Sequence, residues 1–519
     1  MISAERKTIL SLVNMNIPAT LDLNQAIETF KQTIAPQLVV GDISSWDGVA
    51  LKAREEEIRA ASLVLAGQVN ALLLHELSEH PDSQREANQR TRSSRGFMAG
   101  SQGKRRVKIL TGGNVVVELK VGYILNGASQ QQRKGKRKAG QRGPSKGQGF
   151  YPLLRWLGME EQVSPLVWSV VAGAGMLSSS FAQATEQLQQ WGIELSEKRV
   201  ARLTYGFGQI GLELTEQWMA QLQQGQLPTG NTFEGQRVGL SVDGGRTRLR
   251  YNKQGRRRAS KRRGYGGHWR EPKLFTLYAI DEQGQRINTV KLPVINDGTF
   301  TGVEGFMSLL EMYLVKLGVV QAQQVLLLAD GAPWIWQRIP VLLKRLGLPT
   351  DRLIELIDFY HASQHLKDFA EAAFSKAQVA QKWFESARSS LKRGKLAQLL
   401  TQMQQILAQK HTRKQRKAMT TPFNYFNDQP QRFAYAEVQA MNLPIGSGAI
   451  ESLIRQVVNL RLKGNGKFWL PEHAEILLQG RCYWAAGRWD TFCAEVLTAK
   501  LDARSLKLVE YNASDLAAA

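Results

Sequence analysis

Residues 323–359 read QQVLLLADGAPWIWQRIPVLLKRLGLPTDRLIELIDF. Two short apolar runs enclose a longer segment whose apolar residues have helical spacing, and each run ends at an aspartate, Asp330 or Asp358. Apolar runs of this length, separated by a helical segment, are typical of buried strands that alternate with helices. The stretch therefore predicts part of a sheet that is covered by helices.

The residues before this stretch predict three more strands. They are QRVGLSVDGG (236–245), KLFTLYAID (273–281) and INTVKLPVI (287–295), with a turn at DEQGQ between the last two. A helix, VEGFMSLLEMYLVKLG (303–318), follows them. Three strands followed by strand–helix alternation are the order of an RNase H-like α/β fold, which is a mixed sheet flanked by helices.

The remaining sequence is mostly helical in its periodicity. Ser45 is the expected cap of a long N-terminal helix, and residues 105–125 predict two strands about a turn at Gly112 and Gly113. The predicted regions are a helical region (1–80), a linker with hairpin and basic segment (81–149), a helical DNA-binding region (150–232), the sheet domain (233–365 and 440–495), a helical insertion (366–439) and a tail (496–519).

Charge points to a polyanionic partner. Lys and Arg number 68 against 45 Asp and Glu, which gives a net charge of +23 and a pI near 10.0. The excess is clustered at residues 104–108, 131–149 and 246–270. Like-charged blocks with Gly, Ser and Gln cannot form a core, and they are typical of loops that become ordered on phosphates. The alternative is a generally basic protein with no such partner, but clustering favours DNA.

A helix-turn-helix candidate lies at residues 179–208. Two helical segments surround Gly192, and Ser196 is placed to cap the second, although any three-helix bundle gives the same spacing. The predicted DNA-binding residues of the chain are Arg133, Lys134, Lys136, Arg137, Lys138, Lys198, Arg199, Arg202, Arg246, Arg248, Arg250, Arg256, Arg257, Arg258, Lys261, Arg262 and Arg263.

Several classes of protein are disfavoured. The two cysteines, Cys482 and Cys493, are too few for a disulfide framework or a zinc ribbon, and we expect both to be small buried apolar residues. No signal-peptide pattern opens the sequence, and no run approaches the ~18 apolar residues of a membrane span. A cytoplasmic protein without a membrane partner is expected.

Three acids form a candidate catalytic set. Asp243 and Asp330 each end an apolar strand and are followed by glycine, on strands that we expect to be adjacent and central. Either one alone is an ordinary turn-initiating Asp-Gly. Glu451 lies in the first turns of a helix that follows Gly446-Ser447-Gly448, where a glutamate also complements the helix dipole. The competitors Glu472 and Glu475 lie in a less constrained helix.

The chemistry that needs three such acids is phosphodiester cleavage. A two-metal mechanism uses carboxylates that hold two Mg²⁺ ions about 3.5–4 Å apart. In this interpretation Asp243 bridges both ions, while Asp330 and Glu451 each complete one, and Mn²⁺ can substitute. No Ser-His-Asp alternative is supported, because Gly446-Ser447-Gly448 lacks the nucleophile-elbow form.

Asp358 and two histidines lie between the second and third acids. His361 and His365 are four residues apart and would share a helix face. A zinc site with Asp358 is conceivable, but no further ligand is evident. We favour a strand-end aspartate and a hydrogen-bonding His361 beside the acids.

Five motifs in order resemble a known family. ADGAPWIW, LIDFYHASQHL, LPIGSGAIES, NLRLKGNGKFW and AAGRWDTF are similar to motifs of ISKra-type bacterial insertion-sequence transposases, which are relatives of Mutator-like elements, over residues 150–495. The resemblance implies a DDE catalytic domain with a helical insertion before the glutamate. It matches Asp243, Asp330 and Glu451 to the three acids, and Asp358 and His361 to an Asp-x-x-His motif.

The resemblance has two weak points. The match at Asp243 is the loosest, since Asp281 or Asp297 could be mistaken for it, but the strand-end position favours Asp243. Members of this family also often carry a cysteine-rich segment, where this chain has the basic run at 131–149 and no cysteine. Zinc-dependent DNA recognition is therefore doubtful here.

The expected function is DNA transposition. The helical region would bind terminal inverted repeats, the acids would cut and rejoin DNA, and the chain would act as a homo-oligomer. Tyr251, Tyr265 and Trp269 either stack on distorted bases or pack within a hairpin. The alternatives are a non-catalytic regulator derived from a transposase, a structure-selective nuclease on the same fold, and an RNA-binding protein.

Overall fold

The computed structural model describes residues 22–92, 100–125, 149–159, 161–252 and 264–499, together with the backbone of 15–16. Contacts divide the chain into two compact units. The first contains the described residues up to Gly211 and those from Asp490 onward, and the second contains Leu212–Trp489. The predicted basic residues at 131–138 and 256–263 lie outside the described part of the chain.

The first unit combines helices with a small sheet. Its helices are α1 (Leu23–Ile34), α2 (Gly48–Glu79), α3 (Ser83–Arg90), α4 (Pro152–Trp156), α5 (Pro165–Leu177), α6 (Phe181–Gln189), and the parts of α7 (Glu197–Gln223) and α17 (Trp489–Thr498) that fall within it. Its strands are β1 (Met15–Asn16), β2 (Gly100–Leu110), β3 (Val115–Leu125) and β4 (Gly149–Phe150). Strand β3 is central, antiparallel to β2 and β4 and parallel to β1.

The predicted hairpin at 105–125 is confirmed, and two local predictions are corrected. Asp47, not Ser45, caps α2, because its side chain accepts the N–H groups of Val49 and Ala50 at 2.9 and 2.7 Å. Within the predicted linker, Ser83–Arg90 forms helix α3. Tertiary contact explains it, since Ala87 is buried and Gln84 accepts the N–H of Gly122 in the hairpin.

The helix-turn-helix prediction is confirmed as local structure. Helices α6 and α7 flank a turn at Gly192, whose φ of 61° is left-handed. Ser196 Oγ accepts the N–H of Arg199 at the start of α7, as expected of a cap.

One described helix, α2, is long and apolar enough to cross a membrane by length and composition. It packs against α1 and β3. A single helix of this kind is weak evidence for a membrane span, because the buried core helices of other proteins pass the same criterion.

The second unit is a mixed α/β structure around a five-stranded sheet. Its strands are β5 (Arg237–Gly244), β6 (Thr247–Asn252), β7 (Tyr265–Arg270), β8 (Lys273–Ile280), β9 (Ile295–Thr299), β10 (Gln324–Ala329) and β11 (Leu353–Ile357). The sheet order is β11-β10-β5-β8-β9, while β6 and β7 form a separate hairpin. Strands β5, β10 and β11 are parallel, and β8 is antiparallel to both β5 and β9.

The strand predicted at 287–295 is wrong in position. The strand is β9, which begins at Ile295, and the residues before it form turns and bends. Pro293 lacks the N–H that a central strand position needs, Asn288 Oδ1 accepts the N–H of Val294, and the Val290 side chain is fully exposed. The other four predicted strands and the intervening helices are confirmed.

Helices cover the sheet and form the predicted insertion. The helices of the sheet domain are α8 (Gly302–Lys316), α9 (Pro333–Arg345), α15 (Gly448–Ile454) and α16 (Pro471–Ala485). Those of the insertion and its entry are α10 (Phe359–Ala373), α11 (Ala377–Lys392), α12 (Leu396–Leu407), α13 (Arg413–Asn427) and α14 (Tyr435–Ala440). The central strands β5 and β10 are buried throughout their apolar lengths, which explains their continuous apolar sequences.

Candidate active site

Asp243 and Asp330 lie next to each other at the carboxyl ends of two neighbouring inner strands of the sheet. Strands β5 and β10 are parallel neighbours with Val242 opposite Ala329, so the next residue on each strand is an aspartate. Both side chains are partly buried. The prediction that the two acids end adjacent central strands is confirmed.

Each aspartate also makes a turn-type bond. Asp243 Oδ1 accepts the N–H of Gly244 at 2.6 Å, and Asp330 Oδ1 accepts the N–H of Ala332 at 3.0 Å. The turn interpretation of Asp-Gly is therefore also correct in part. These bonds use one oxygen of each carboxylate, so both roles are compatible.

The electrostatics of the pair favour a cation. Burial raises the pKa of Asp243 to about 6, and the negative charge of Asp330 adds to the rise, as does Glu271. The Gly244 N–H and His361 act in the opposite direction. Two carboxylates that repel each other in a partly buried site are stabilised by a bound cation or by a proton.

Glu451 lies on a helix that packs against the strand of Asp243 and the strand on its other side. Helix α15 contacts β5 and β8, and it continues as a π-helix, Arg455–Leu462. A Cβ at Gly245, two residues after Asp243, would lie 2.9 Å from a methyl carbon of Val458, so only glycine allows this approach. The side chain of Glu451 is exposed, and its Oε1 accepts from Ser447 Oγ at 3.2 Å.

The carboxylate oxygens of the three acids are suitable ligands for a hard cation, although the three side chains do not converge on one position. Carboxylate oxygens are the ligands that Mg²⁺ prefers, and Mg²⁺ keeps several waters, so few protein ligands suffice. Among the described residues, no three His, Cys, Asp or Glu side chains lie close enough to hold one ion. The structure thus brings together the strand ends of Asp243 and Asp330, with the helix of Glu451 against the strand of Asp243.

Asp358 is buried and bonded at both oxygens. Oδ1 accepts the N–H of His361 at 2.6 Å, which caps α10, and Oδ2 accepts the N–H of Ser447. Both oxygens therefore face N–H groups, which disfavours the zinc alternative.

The two histidines share a helix face as predicted. The rings of His361 and His365 are 5.4 Å apart, and His365 stacks on Tyr425 of the insertion at 3.8 Å. His361 is exposed and close enough to Asp243 to affect its pKa. His361 therefore lies near Asp243, as predicted. Its hydrogen bond to Asp358 is made by its backbone N–H and not by its ring.

A cationic hairpin begins three residues after Asp243. Strands β6 and β7 pair Arg248 with Trp269, and the guanidinium of Arg248 lies 4.6 Å from the Trp269 ring centroid, with Arg246 at 5.2 Å. Trp269 is 43% exposed and Tyr265 47%. Tyr251 instead packs on His268 with a buried hydroxyl. Packing within the hairpin is therefore confirmed for Tyr251, while base stacking by Tyr265 and Trp269 stays a prediction.

The hairpin is anchored to the chain that follows Glu451. Arg250 N–H donates to Trp469 O at 2.8 Å, and Thr247 Oγ1 donates to Leu462 O at 2.8 Å. The guanidinium of Arg250 lies 5.8 Å from the ring of Tyr265. These bonds hold the hairpin, and with it the exposed arginine and aromatic side chains, to the segment that follows Glu451.

Two of the three predicted DNA-binding side chains on α7 form ion pairs within the chain. Arg199 and Arg202 both form ion pairs with Glu161, at 4.0 and 3.4 Å, and Arg199 also donates to the Glu161 carbonyl. Lys198 is exposed. The side chain of Arg199 is held inside the first unit, so it is the weakest of the three as a phosphate ligand.

The competing acids have other roles. Asp281 is a turn residue that accepts the N–H groups of Gln283 and Gln285. Asp297 and Glu475 are buried, and Glu472 is only partly buried, at the start of α16. Asp243 is the acid on a central strand, as the sequence favoured.

Sequence reasoning missed the π-helix and its support. Arg481 of α16 is buried, and it donates from Nε to Val457 O at 3.1 Å and from Nη2 to Gln456 O. These carbonyls belong to the π-helix, where the α-helical bonding pattern is interrupted. The π-helix itself has no sequence signal, but its support has one, because Arg481 stands among mostly apolar neighbours in LQGRCYW and therefore implies a buried partner. Cys482 is buried as expected, and Cys493 is only partly buried.

No protein-family model, curated protein or solved structure matches the chain significantly.

Proposed function

We propose that the chain is a DDE-type transposase with an RNase H-like catalytic domain. The observation that carries the proposal is the placement of Asp243 and Asp330 at the carboxyl ends of two adjacent, central, parallel strands, with the helix of Glu451 packed on the strand of Asp243. The mixed five-stranded sheet, with two parallel neighbours of β10 and an antiparallel β8, supports the RNase H-like part of the proposal. The helical insertion before Glu451 is in the predicted place.

Asp243, Asp330 and Glu451 would hold Mg²⁺, or Mn²⁺ as a substitute. When bound, the metal pair lowers the pKa of the attacking water or 3′-hydroxyl and stabilises charge on the leaving oxygen. The chain fixes the two aspartates on rigid strands, which keeps their oxygens in one place. Glu451, on the exposed face of its helix, would complete the set when DNA and metal are present.

The reaction has two steps at one site. A water oxygen attacks a phosphorus atom at the end of the element, and the P–O3′ bond breaks to release a 3′-hydroxyl. That hydroxyl oxygen then attacks a phosphorus of target DNA, and a target 3′-oxygen leaves and takes a proton. Joining two ends needs two active sites, so we propose a homo-oligomer on DNA, in the bacterial cytoplasm.

The cationic hairpin supports a DNA substrate. Arg246 and Arg248 are exposed and lie a few residues from Asp243 on a platform fixed to residues that follow Glu451. Arginines that contact phosphates give affinity and register rather than sequence specificity. The helix-turn-helix of the first unit, with exposed Lys198 and Arg202, is the proposed reader of the terminal repeats.

Glu451→Gln tests the proposal, with Glu472→Gln as the matched control. The substrate is a duplex with the terminal repeats of the element, incubated with supercoiled target plasmid in Mg²⁺ or in Ca²⁺. We expect wild-type protein and E472Q to cut and join in Mg²⁺ only, and E451Q to bind the duplex but lose both products.

Other outcomes would replace the proposal. Cutting without joining by the wild type would indicate a structure-selective nuclease. Specific binding with no cutting in either metal would indicate a regulator derived from a transposase. Equal loss in E472Q and E451Q would show that Glu451 has no special role.

A further inference from the structure

Asp358 connects three separate segments through its own atoms. Its carboxylate is 1% exposed, and Oδ1 accepts the His361 N–H while Oδ2 accepts the Ser447 N–H. Its N–H donates to Ala329 O at 2.8 Å, one residue before Asp330. The next N–H, of Phe359, donates to Ile445 O at 3.0 Å.

An ordinary helix cap explains only one of these bonds. The bond to His361 satisfies the first turn of α10, as an aspartate cap does in many helices. The bond to Ser447 joins residues 89 apart in the sequence and does nothing for α10. Ser447 is also buried, so loss of this bond would leave a buried N–H without its acceptor.

The loop that receives Asp358 leads directly into the helix of Glu451. A Cβ at Gly446 would lie 2.6 Å from the Tyr360 ring, which shows how closely the loop approaches the start of α10. Ser447 is the N-cap residue of α15, and its hydroxyl donates to Glu451 Oε1. The position of residue 447 therefore sets the position of Glu451.

We propose that Asp358 is a positioning residue that holds the helix of Glu451 in register with the strand end of Asp330. The inference rests on the proposed function, because it gives Glu451 the role of a metal ligand. One carboxylate oxygen fixes α10, which follows β11, and the other fixes the loop before α15. Supporting hydrogen bonds of this kind typically change metal affinity or activity about 10–100-fold when removed.

Ser447→Pro removes the critical donor and also places the proline ring carbon Cδ against Asp358 Oδ2. Ser447 has a φ of −81°, which proline can adopt, and proline lacks the N–H that Asp358 accepts. Ser447→Ala removes the hydroxyl but keeps the N–H, so it sets the baseline for the lost bond to Glu451. Asp358→Asn keeps one acceptor oxygen and turns an NH₂ group toward the other N–H.

Three quantities should be measured for each variant: the Mg²⁺ concentration that gives half-maximal cutting, the melting temperature with and without Mn²⁺, and hydrogen exchange over residues 445–454. We expect D358N and S447P each to raise the required Mg²⁺ about 10–100-fold relative to wild type and to S447A, respectively. Exchange over 445–454 should speed up in both. The double variant should be no worse than either single, since both remove the same bond.

Thr412→Ala is the matched cap control. Thr412 caps α13 in the insertion, so its loss lowers stability without touching residues 445–447. We expect T412A to lower the melting temperature and to leave the Mg²⁺ requirement unchanged. If D358N behaves like T412A, Asp358 is only a helix cap and the inference is overturned.

The exchange measurement separates this inference from the proposed function. If wild-type protein cuts no DNA, accelerated exchange over 445–454 in D358N still supports the positioning role, while unchanged exchange overturns it. If wild-type protein cuts DNA and D358N has the wild-type Mg²⁺ requirement, the proposed function stands and the positioning role fails.

Discussion

The second unit holds two pairs of acids that are built in opposite ways. Asp243 and Asp330 lie at a partly open sheet edge, and each accepts one turn N–H. Asp297 and Glu475 are buried. Asp297 accepts the Tyr313 hydroxyl at 2.9 Å, and Glu475 accepts from Thr299 Oγ1 at 2.9 Å and from the Phe300 N–H at 2.6 Å.

Their surroundings decide what each pair can bind. Burial raises the pKa of Asp297 and the pKa of Glu475 to about 7, despite their protein donors. A buried pair enclosed by the core can take up protons but has no route for a hydrated ion or a phosphodiester. The Asp243–Asp330 pair has both an open side and a cationic hairpin next to it. The comparison shows that a buried acid with a raised pKa is not by itself a functional site.

Asp330→Asn should have the largest effect. We expect Mg²⁺-dependent cutting to fall by on the order of 10²–10³-fold or more, as when a group that stabilises transition-state charge is removed. DNA binding, measured by fluorescence anisotropy, should be retained. Asp297→Asn is the matched control in the other pair and should leave cutting within a few-fold of wild type. Equal losses in both variants would remove the distinction between the pairs.

Trp269→Ala should reduce DNA affinity about tenfold. A stacked base contributes roughly 1–3 kcal/mol, and Trp269 is the exposed aromatic residue that Arg246 and Arg248 flank. Trp484→Ala removes an indole that is 42% exposed near the end of α16 and serves as the control. Equal affinities of W269A and wild type for duplex and for frayed ends would exclude the hairpin from the DNA path.

Glu475→Gln should change the pH dependence of stability. The folded pKa of Glu475 lies above its unfolded value of about 4.5, so folding is favoured while the group is protonated. This advantage is lost as pH rises from about 4.5 to about 7. Glutamine mimics the protonated acid, so E475Q should exceed wild type in unfolding free energy by about 1 kcal/mol or more at pH 8, and by clearly less at pH 5.

Urea unfolding at the two pH values measures this effect. A stability difference that is the same at pH 5 and pH 8 would mean that Glu475 does not titrate in this range. A loss of stability in E475Q at pH 8 would mean that its carboxylate is stabilised as an anion, which contradicts the contrast between the two pairs.

Much of the second unit could be predicted from the sequence. Strands β5, β8 and β10 are mostly apolar because both faces are buried, and Asp-Gly marks the ends of β5 and β10. Strand β11 is a short, largely apolar edge strand that is only partly buried. Strand β9 was misplaced because INDGT has no strand-like composition, and its pairing with β8 is what makes it a strand. Helix α3 was not predicted either, because tertiary contacts stabilise it and its own sequence has no helical periodicity.

The parts of the site that join distant residues could not be predicted. The second bond of Asp358 depends on a loop 89 residues away, and the approach of Val458 to Gly245 depends on a π-helix that has no sequence signature. The sequence singled out Asp243, Asp330 and Glu451 because each has a local signal at a strand end or helix start. It could not show which hydrogen bonds and close contacts hold the segments of the three acids together.

Iron-directed cleavage of the polypeptide tests the central claim most directly. Fe²⁺ replaces Mg²⁺ in oxygen-ligand sites, and with ascorbate and peroxide it generates radicals that cut the nearby backbone. In the presence of terminal-repeat DNA, the account predicts cuts near residues 243, 330 and 451 together, all suppressed by excess Mg²⁺. Cuts near 243 and 330 with none near 451, or cuts around 297 and 475 instead, would contradict it.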